Sequence, residues 1–526
     1  MKTVYYNDFG AVGDGVANDF LAIKACHAYA NENGCEVSAN EGFTYLIGKT
    51  DGDYITVKTS VDWTGATIIF DDKVIDVNNK ERYTDIFVME SSFDNWLTEY
   101  NEDSEIVKKL SGGFKKDIKN IGFEPGYRAL VYVYDKNNFA FNRFGLNGSK
   151  TPPPQHEFTI VEPNGDIVPN TEFMLDFTGV TEIKVYRVDD EPITLKGGKF
   201  ITLANDAPPV YTYYNRGLRF YRSNVTIIDT VHEIVGEGEH GAPYIGFINY
   251  RNTHNLRCEN LSLQGHKTFY DFFPDGRRRS AMGSYDIGGS DSNDVVFYNC
   301  TQNNFFEEGS DTVPRKESAY WGIMGTNYCK NLTYEKCLLS RFDAHAGIYN
   351  ATVKDTAILN IKLTGGGTAL IENCTIYENC IALVYLRADY GSTWNGDLII
   401  RNCKYLNKTE NSYILHGAWF NFPFFGTDVP RLPNLIIDNL YIQNSSGTNY
   451  LYKWTSNNHY FDENHYPIMK SAKGDRIDCE TLSDGSKNDN VRILASRATV
   501  MNAPESYNFV GADDPYVSDK IEIVYE

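Results

Sequence analysis

A nine-residue pattern that recurs along the chain is the feature that most constrains its fold. In each copy apolar and polar residues alternate, a polar residue stands at the sixth position and a small apolar residue at the seventh. Successive seventh positions are 36, 39, 37, 37, 29 and 37 residues apart. A period of this size carried by strand-like alternation predicts one solenoid coil per repeat, each burying its apolar face on its neighbours. The copies are Arg219–Ile227, Asn255–Leu263, Asp294–Gln302, Asn331–Leu339, Thr368–Ile376, Asp397–Tyr405 and Asn434–Ile442.

Two positions of the pattern predict its local structure. The sixth is Asn in every copy except one, where it is Lys336. Asn tolerates left-handed backbone and its amide can bond along a stack, so this position predicts a corner of the coil. The seventh includes four cysteines, for which we expect buried free thiols, because side chains in register point the same way rather than at each other. They are Cys300, Cys337, Cys374 and Cys403.

These features predict an all-β chain folded as a right-handed parallel β-helix. We assign residues 1–84 to an N-terminal cap and the first coils, and 85–200 to a small inserted α+β or β subdomain. The main coils are assigned to 201–450, and 451–526 to a C-terminal extension that packs on or caps the solenoid. Within the insertion the sequence predicts a helix over Asn95–Leu110. Strands are predicted over Ala129–Tyr134, Phe158–Val161 and Glu182–Arg187.

The first residues carry a separate signal. Asp8-Phe9-Gly10-Ala11-Val12-Gly13-Asp14-Gly15 is followed by Asn18, a predicted helix N-cap, and by an amphipathic stretch that ends at Gly34. This helix would cover the open end of the solenoid. The opening resembles that of the pectate-lyase-like superfamily of β-helix proteins, but Phe20 stands where that pattern usually has Thr. The resemblance implies a fold shared by polysaccharide lyases, glycoside hydrolases and phage tailspike depolymerases, and no single reaction.

Composition limits the partners. The formal net charge is −21, from 49 Lys and Arg against 70 Asp and Glu, which argues against nucleic acid or an anionic membrane as a general partner. An anionic polysaccharide would need a local basic cleft. No run of about 18 apolar residues predicts a membrane span, and the start lacks the apolar region of a signal peptide. We expect an extracellular or cell-surface protein, with export by another route or a leader already removed, or a virion tail protein.

The strongest candidate cluster lies between residues 341 and 350. Alternation places Arg341, Asp343 and His345 on one face of an extended segment, where they could hold a carboxylate, orient an imidazole and move a proton. An ion pair at a coil corner with a solvated histidine is an equally good interpretation. Tyr349 and Asn350 follow, as a candidate acid and a candidate substrate ligand.

Further candidates come from a second cluster and from residues at similar offsets from the repeat. The second cluster contains Arg387 and Tyr390, a candidate neutralising cation and a candidate acid, together with Asp389 and Trp394. Because stacking converts sequence offset into proximity, we also expect substrate contacts from residues flanking other repeats. Solvated loops and capped turns are the alternative for each of them. These residues are His240, Tyr244, Lys267, Tyr285, Asp286 and Trp321.

Two mechanisms fit these residues. In a polysaccharide lyase acting on a uronic-acid polymer, glycosaminoglycan-like or pectin-like, Arg341 or Arg387 would neutralise the carboxylate and His345 would remove the C5 proton by β-elimination. In a glycoside hydrolase, paired carboxylates would act as acid and base or nucleophile. The best candidate clusters centre on Arg, His and Tyr rather than on paired acids, which favours the lyase. A tailspike-type glycan-binding protein or depolymerase is a further alternative.

We expect no cofactor. A Ca²⁺ ion is possible in chemical terms, but no ligand spacing supports one. The oligomeric state is left open between a monomer and a homotrimer.

Overall fold

A computed structural model of the protein describes most of the chain in two compact units. The N-terminal unit comprises Met1–Trp96, Arg187–Thr326 and Thr333–Phe342, and the C-terminal unit comprises Leu97–Tyr186, Asn327–Leu332 and Asp343–Glu526. The described residues are 2–139, 154–208, 213–272, 278–281, 284–315, 324–377, 382–387, 393–407, 410–419, 432–443, 447–456, 460–461, 467–468, 498–504, 506–512 and 522–526.

The N-terminal unit is built from coils whose strands form three parallel sheets. Its first sheet contains Thr3–Tyr5, Glu36–Ser38, Val61–Asp62, Ile193–Lys196, Val225–Ile228, His254–Glu259 and Asn293–Tyr298. Its second contains Asp14–Asn18, Thr44–Ile47, Thr67–Asp71, Lys199–Leu203, Val231–Val235, Ser262–Leu263 and Thr301–Gln302. Its third contains Ile55–Val57, Phe87–Met89, Leu218–Phe220, Ile248–Arg251 and Ile287–Ser290.

The C-terminal unit repeats this arrangement. Its first sheet contains Ile348–Lys354, Gly365–Glu372, Trp394–Leu406, Asn434–Ile442, Ala498–Met501 and Ile523–Tyr525. Ala357–Ile358 and Thr375–Tyr377 pair beside the end of Trp394–Leu406 as its second sheet. Its third contains Asn360–Leu363, Val384–Leu386, Ser412–Trp419, Asn449–Ser456 and Phe509–Ala512. Four strands have residues in both units, namely Glu182–Arg187, Met324–Asn327, Lys330–Glu335 and Arg341–Asp343.

Parallel strands joined coil after coil confirm the predicted right-handed parallel β-helix. The repeat fades from the sequence after Ile442, yet the ladder continues, because Ala498–Met501 pairs in parallel with Asn434–Ile442 and then with Ile523–Tyr525. The proposed domain boundaries remain predictions. Short elements outside the ladders are the 3₁₀ helices Tyr6–Phe9, Asp72–Val74 and Lys80–Tyr83 and the hairpins Tyr270–Phe272 with Arg278–Ala281 and Tyr460–Phe461 with Pro467–Ile468.

The insertion forms a four-stranded antiparallel sheet in the order Pro154–Val161, Ala129–Phe139, Glu182–Arg187, Leu97–Tyr100. The three predicted strands are therefore confirmed. The predicted helix over Asn95–Leu110 is wrong in its first half, since Leu97–Tyr100 is a strand and the helix is only Glu105–Leu110. A turn separates the two, in which the Asp103 amide bonds to Asn101 Oδ1 (3.1 Å), and Ser104 Oγ then accepts from the Val107 amide (3.3 Å) to cap the helix.

The N-terminal helix Phe20–Asn33 covers the core of the first coils, as predicted. It ends at Gly34 with φ of +62°, but its N-cap is Asp19, and Asn18 Oδ1 accepts instead from the Phe20 amide (3.2 Å). His27 Nε2 lies 3.0 Å from the Tyr6 hydroxyl, which also accepts from the indole of Trp63 (2.8 Å). The buried helix residues are Phe20, Ile23, Cys26, His27 and Ala30.

Corner residues confirm the predicted left-handed backbone but correct the alignment of the repeat. Three of the nine-residue patterns have two such corners, five residues apart and both with positive φ, namely Asn255 with Asn260, Asp294 with Asn299, and Asn331 with Lys336. Asn255 Nδ2 donates to Asn224 Oδ1 (2.7 Å), and Asn260 Nδ2 donates to Asp229 Oδ1 (3.0 Å). The alignment of Asn224 with Asn260 is therefore wrong by one corner, because Asn or Asp serves equally well at both ends of the strand.

One apparent repeat contains an additional coil. The strand Ile348–Lys354 leads to a corner at Asp355 with φ of +50°, between the corners at Lys336 and Asn373. Asn373 Nδ2 donates to Asp355 Oδ1 (2.9 Å), 18 residues earlier, so this coil is about half the usual length. Such a coil lacks a long loop, which hides it from a search at a period near 37.

The cysteine column consists of buried free thiols, as predicted. All eight cysteines among the described residues are buried and none forms a disulfide. Their thiols bond to the carbonyls of neighbouring strands, for example Cys300 Sγ to Cys258 O (3.4 Å) and Cys374 Sγ to Val353 O (3.2 Å). Burial raises the pKa of Cys258 and Cys300 well above the usual range, so these thiols stay protonated.

The corner ladder generates a testable prediction at Asn402, which has φ of +52° and accepts a bond from Asn439 Nδ2 (2.9 Å). We expect Asn402→Ala to lower the free energy of unfolding by about 1–2 kcal/mol, because Ala loses this bond and strains in the left-handed region. Asn402→Gly is the matched control, since it loses the bond without strain. Urea titrations measure both, and equal losses would contradict the strain argument.

Candidate active site

The third sheet of the C-terminal unit carries a row of charged and aromatic side chains on successive strands, some of them partly exposed and two of them, Asp343 and His416, buried. Lys362 pairs with Tyr385, Tyr385 with His416, and His416 with Lys453. The Ala344 amide donates to Lys362 O (2.9 Å), which in a parallel ladder sets Asp343 opposite Lys362. We call Asp343, Lys362, Tyr385, His416 and Lys453 the third-sheet column. Their Cβ atoms share one face, because side chains alternate along every strand.

Asp343 is the centre of an ion-paired trio at one end of this column. Arg387 Nη1 donates to both carboxylate oxygens of Asp343, at 3.0 and 2.9 Å. His345 Nε2 lies 3.3 Å from Asp343 Oδ2. The predicted pairing of Asp343 with His345 is therefore present, and Arg387, from the second predicted cluster, is brought to the same carboxylate by a main-chain bond from its amide to Leu363 O (3.0 Å).

Burial gives the members of this trio different roles. The Asp343 side chain is fully buried, whereas those of His345 and Arg387 are 13% and 11% exposed. A buried carboxylate is stable only when paired, which Arg387 achieves. The carboxylate also fixes the orientation of the imidazole, and His345 reaches solvent, so the arrangement can take up a proton from a ligand at the surface.

The rest of the column combines cations with aromatic rings. The rings of Tyr385 and His416 lie 5.1 Å apart, and Lys453 Nζ lies 4.3 Å from the ring centre of Tyr413. Tyr413 stacks on Tyr450, with ring centres 5.2 Å apart and planes 13° apart. Burial lowers the pKa of His416 to about 4, with Lys453 adding to the shift, so this imidazole is neutral at pH 7. Such a surface suits a ligand with flat apolar faces and negative charges.

Tyr349, Asn350 and Trp394 lie on the first sheet of the C-terminal unit rather than on the column. The ring centre of Tyr349 is 5.4 Å from Lys330 Nζ, and Asn350 is a corner residue that donates to Asn331 Oδ1 (2.9 Å). Trp394 is fully buried, and its indole N–H donates to the carbonyls of Gly367 and Asp397 at 3.2 and 3.1 Å. Trp394 thus supports its strand and does not offer a ring to a polymer.

In the N-terminal unit, Arg341 and Tyr285 are neighbours. The Arg341 guanidinium lies 5.8 Å from the ring centre of Tyr285, and the Arg341 carbonyl accepts from the Tyr334 hydroxyl (3.1 Å). Arg341 is only 2% exposed. A cation so deeply buried is poorly placed to neutralise the carboxylates of a long polymer, which was the role predicted for it.

Asp286 and Tyr244 belong to a buried polar network in the same unit. His232 Nδ1 lies 2.9 Å from Asp286 Oδ1, and its Nε2 lies 2.9 Å from Thr202 Oγ1. The ring of Tyr244 stacks on that of His266 at 4.3 Å. Asp286 is fully buried and Tyr244 is 5% exposed, so both stabilise the coils rather than contact a polymer.

His240 and Lys267 lie at the edge of this network. Glu237 accepts from the Lys267 amide (3.0 Å) and lies 3.1 Å from His266 Nδ1. The Lys267 ammonium donates to Gly238 O (3.0 Å), which ties it to the turn before the exposed His240. Both residues remain candidate surface contacts. Tyr390, Asp389 and Trp321 lie outside the described residues.

Several potentially functional residues escape sequence analysis. No sequence motif contains these residues, which are Lys362, Tyr385, His416 and Lys453. They share one column only because of how the strands pair, and the short coil that sequence analysis missed shifts the predicted pairing. The corner residues are the signal that would find them. An alignment on the Asn and Asp residues at both ends of the strand, with coils of about 18 residues allowed, would give the correct pairing.

No helix in the described part of the chain is long and apolar enough to cross a membrane. Within the same residues, no group of three or more His, Cys, Asp or Glu side chains is arranged to hold a metal ion.

Comparison with known proteins finds no matching family model and no matching curated protein. Similar solved structures include the tailspike gp61 of Pseudomonas phage phi297, with 12% identity, a TM-score of 0.44 and coverage of 87% of this chain and 79% of that one. A tailspike of E. coli bacteriophage HK620 in complex with a pentasaccharide has 9% identity, a TM-score of 0.43 and coverage of 100% and 78%. An exopolygalacturonase from Thermotoga maritima has 11% identity, a TM-score of 0.31 and coverage of 99% and 92%. Similarity this distant assigns no role to any side chain described above.

The buried trio predicts a large effect of Asp343→Asn. We expect a loss of about 3 kcal/mol in the free energy of unfolding, because Arg387 keeps its charge and no longer faces the buried carboxylate that accepts two bonds from it. Asp397→Asn is the matched control, since Asp397 accepts from Asn434 (3.2 Å) at an exposed position and should cost less than about 1 kcal/mol. Urea titration measures the free energy of unfolding of both variants. Similar losses would show that the charge of Asp343 contributes no more to stability than that of an exposed aspartate.

The lowered pKa of His416 predicts a pH dependence of stability. As pH falls from about 6.5 to about 4, unfolded chains bind a proton at this residue and the native protein does not. Stability contributed by neutral His416 is therefore lost over this window, on the order of 3 kcal/mol. Unfolding of the wild type and of His416→Gln should be compared at each pH. The wild-type curve should fall more steeply between pH 6.5 and 4, and parallel curves would refute the prediction.

Proposed function

We propose that the protein binds an acidic polysaccharide along the third-sheet column and cleaves it as a lyase, with His345 as the base. The observation that carries this proposal is the imidazole of His345, held 3.3 Å from the buried Asp343 carboxylate at the edge of the solvent. An imidazole oriented by a carboxylate is a common general base near neutral pH.

Charge on the column supports an anionic substrate. The whole chain has a net charge of −21, yet the partly exposed Lys362 and Lys453 lie on one column, with Tyr385 and the buried His416 between them. Strands in a sheet are about 4.8 Å apart, so successive side chains of the column can meet successive parts of an extended polymer. The local cations supply the basic surface that an acidic protein needs to hold a polyanion.

The reaction that fits these groups is β-elimination. Lys362, on the strand beside Asp343, would pair with the carboxylate at C6 and make the C5 proton more acidic. His345 would remove that proton, the bond from C4 to the glycosidic oxygen would break, and a C4–C5 double bond would form. Tyr385 lies on the next strand, and its phenol would donate a proton to the leaving oxygen.

Paired carboxylates, which a glycoside hydrolase would require, are less well supported. Asp343 is fully buried and engaged by Arg387, and Asp286 is fully buried and engaged by His232. A carboxylate that must protonate a glycosidic oxygen or attack an anomeric carbon has to reach the sugar. His345 and Lys362 are exposed enough to do so, which favours the lyase.

The substrate class also bears on location. A long acidic polysaccharide is found outside cells, so we infer that the protein acts at a cell surface, in the extracellular space or on a virion.

The oligomeric state is a separate question. Light scattering distinguishes a monomer from the homotrimer that a tailspike-type assembly requires.

Activity is tested on hyaluronan, chondroitin, pectate and alginate by absorbance near 230 nm, where the unsaturated product absorbs. We expect one substrate to be cleaved by the wild type, and His345→Gln to lower kcat at least about 100-fold, because the base is lost. New reducing ends without this absorbance would show that the protein is a hydrolase rather than a lyase. No product from any of the four polymers would overturn the proposed reaction.

Lys362 tests the binding part of the proposal separately. Lys362→Gln should raise KM roughly tenfold, since one charge-assisted contact with the polymer is lost. Lys404→Gln is the matched control, because Lys404 is an exposed lysine on another part of the same unit. Equal KM values for the two variants would exclude a role of the third-sheet column in binding.

A further inference from the structure

A cavity in the C-terminal unit lies apart from the third-sheet column. It has a volume of about 420 Å³ and is lined on one side by residues of the first sheet and on the other by residues of the inserted subdomain. Ligand sites for small molecules typically measure about 300–1,000 Å³. The size is therefore sufficient for one or two sugar units.

A strand position occupied by glycine separates two residues that line this cavity, Tyr349 and Asn395. Tyr349 pairs with Gly366 and Gly366 pairs with Asn395, so the three residues occupy one register position on three successive strands. The middle position has no side chain, which leaves the Tyr349 ring and the Asn395 amide two strand spacings apart, about 9–10 Å. A flat ring fits between an aromatic side chain and an amide at this separation.

Packing enforces the glycines. A Cβ atom on Gly366 would lie 2.7 Å from Asn395 O, and one on Gly367 would lie 2.4 Å from Asn350 Oδ1 and 3.0 Å from the Tyr349 ring. Gly367 also has φ of +82°, where side chains are strained. The gap beside Tyr349 is thus a fixed feature of the coils.

The opposite wall is fixed by a buried cation. Lys330, 1% exposed, donates to Glu157 Oε1 (2.8 Å) and to the carbonyls of Thr171 (3.0 Å) and Glu172 (2.5 Å). These bonds hold the segment of the insertion that lines the cavity. The same ammonium lies 5.4 Å from the Tyr349 ring centre, so a single side chain positions both walls.

The lining has no net charge. Lys116 and Lys119 are balanced by Asp117 and Glu172, and Lys119 Nζ lies 3.8 Å from Glu172 Oε1. Balanced donors and acceptors suit hydroxyl groups, which both donate and accept, better than they suit an ion. Burial and the nearby Glu172 and Glu157 raise the pKa of Tyr349, so its hydroxyl remains a donor.

We propose that this cavity is a second, non-catalytic saccharide site, which takes an uncharged sugar ring between Tyr349 and Asn395. Phe173 and Met174 add apolar surface for the face of the ring, and the charged rim bonds its hydroxyl groups. The site is independent of cleavage at the third-sheet column. Binding here would hold a polymer or a cell-surface glycan that contains uncharged units.

The test uses the full chain and the methyl glycosides of glucose, galactose and N-acetylglucosamine, with glucuronate as the charged comparison. Saturation-transfer NMR and titration calorimetry should detect at least one uncharged glycoside, with an affinity that changes less than twofold between about 0.05 and 0.5 M salt. Asn395→Ala should weaken it about five- to tenfold, because a hydrogen-bonding amide is lost at an exposed position. Tyr349→Phe, which keeps the ring, should weaken it less.

His345→Gln is the matched control. It should bind the glycoside as the wild type does, so failure of the lyase proposal leaves this result unchanged. The proposal would be overturned by the absence of a signal from all three uncharged glycosides, or by equal affinity of the wild type and Asn395→Ala.

Discussion

Stacking of coils through left-handed corners is the constraint on which the rest of the structure depends. At many corners an Asn or Asp adopts positive φ and its side chain bonds to the residue one coil away, as Asn439 does with Asn402 (2.9 Å). These bonds lock neighbouring strands in register, and a shift by one residue would turn every buried side chain outward. Lys336 adopts the same conformation, with φ of +55°, and is held by its bond to the Tyr298 hydroxyl (2.7 Å). The corner therefore requires left-handed backbone even where the residue is neither Asn nor Asp.

Fixed register converts sequence into surface columns, and both proposed sites are columns. On the third sheet of the C-terminal unit, the presence of a side chain at every strand produces a continuous row from Lys362 to Lys453. On the first sheet, the absence of a side chain at Gly366 produces a slot beside Tyr349. The same ladder therefore generates an extended binding surface in one place and an open pocket in another, according to which residue occupies one position.

Buried charges have a structural part in both units. Arg216 in the N-terminal unit bonds to Asp72 (2.7 Å), and desolvation nevertheless raises the pKa of Asp72 to about 6. Lys330 in the C-terminal unit joins the insertion to a coil strand, and burial lowers its pKa. A lone buried ion is costly, so each of these residues specifies its partner strongly. Asp343 is likewise a buried charge that is paired with a cation, Arg387. Its second neighbour, His345, is partly exposed, which makes this ion pair a candidate catalytic group.

Residue periodicity by itself determined the fold class, the corner conformation and the buried thiols, because a strand that alternates and ends in Asn has few other solutions. The pairing of Asp343 with His345 also followed from local sequence, since the two are two residues apart on an extended segment. Only the tertiary structure joined Arg387 to Asp343, 44 residues away, and revealed the extra coil at Asp355. Loop length between coils is not constrained by the ladder, so sequence spacing does not give the number of coils or the alignment of their outer faces.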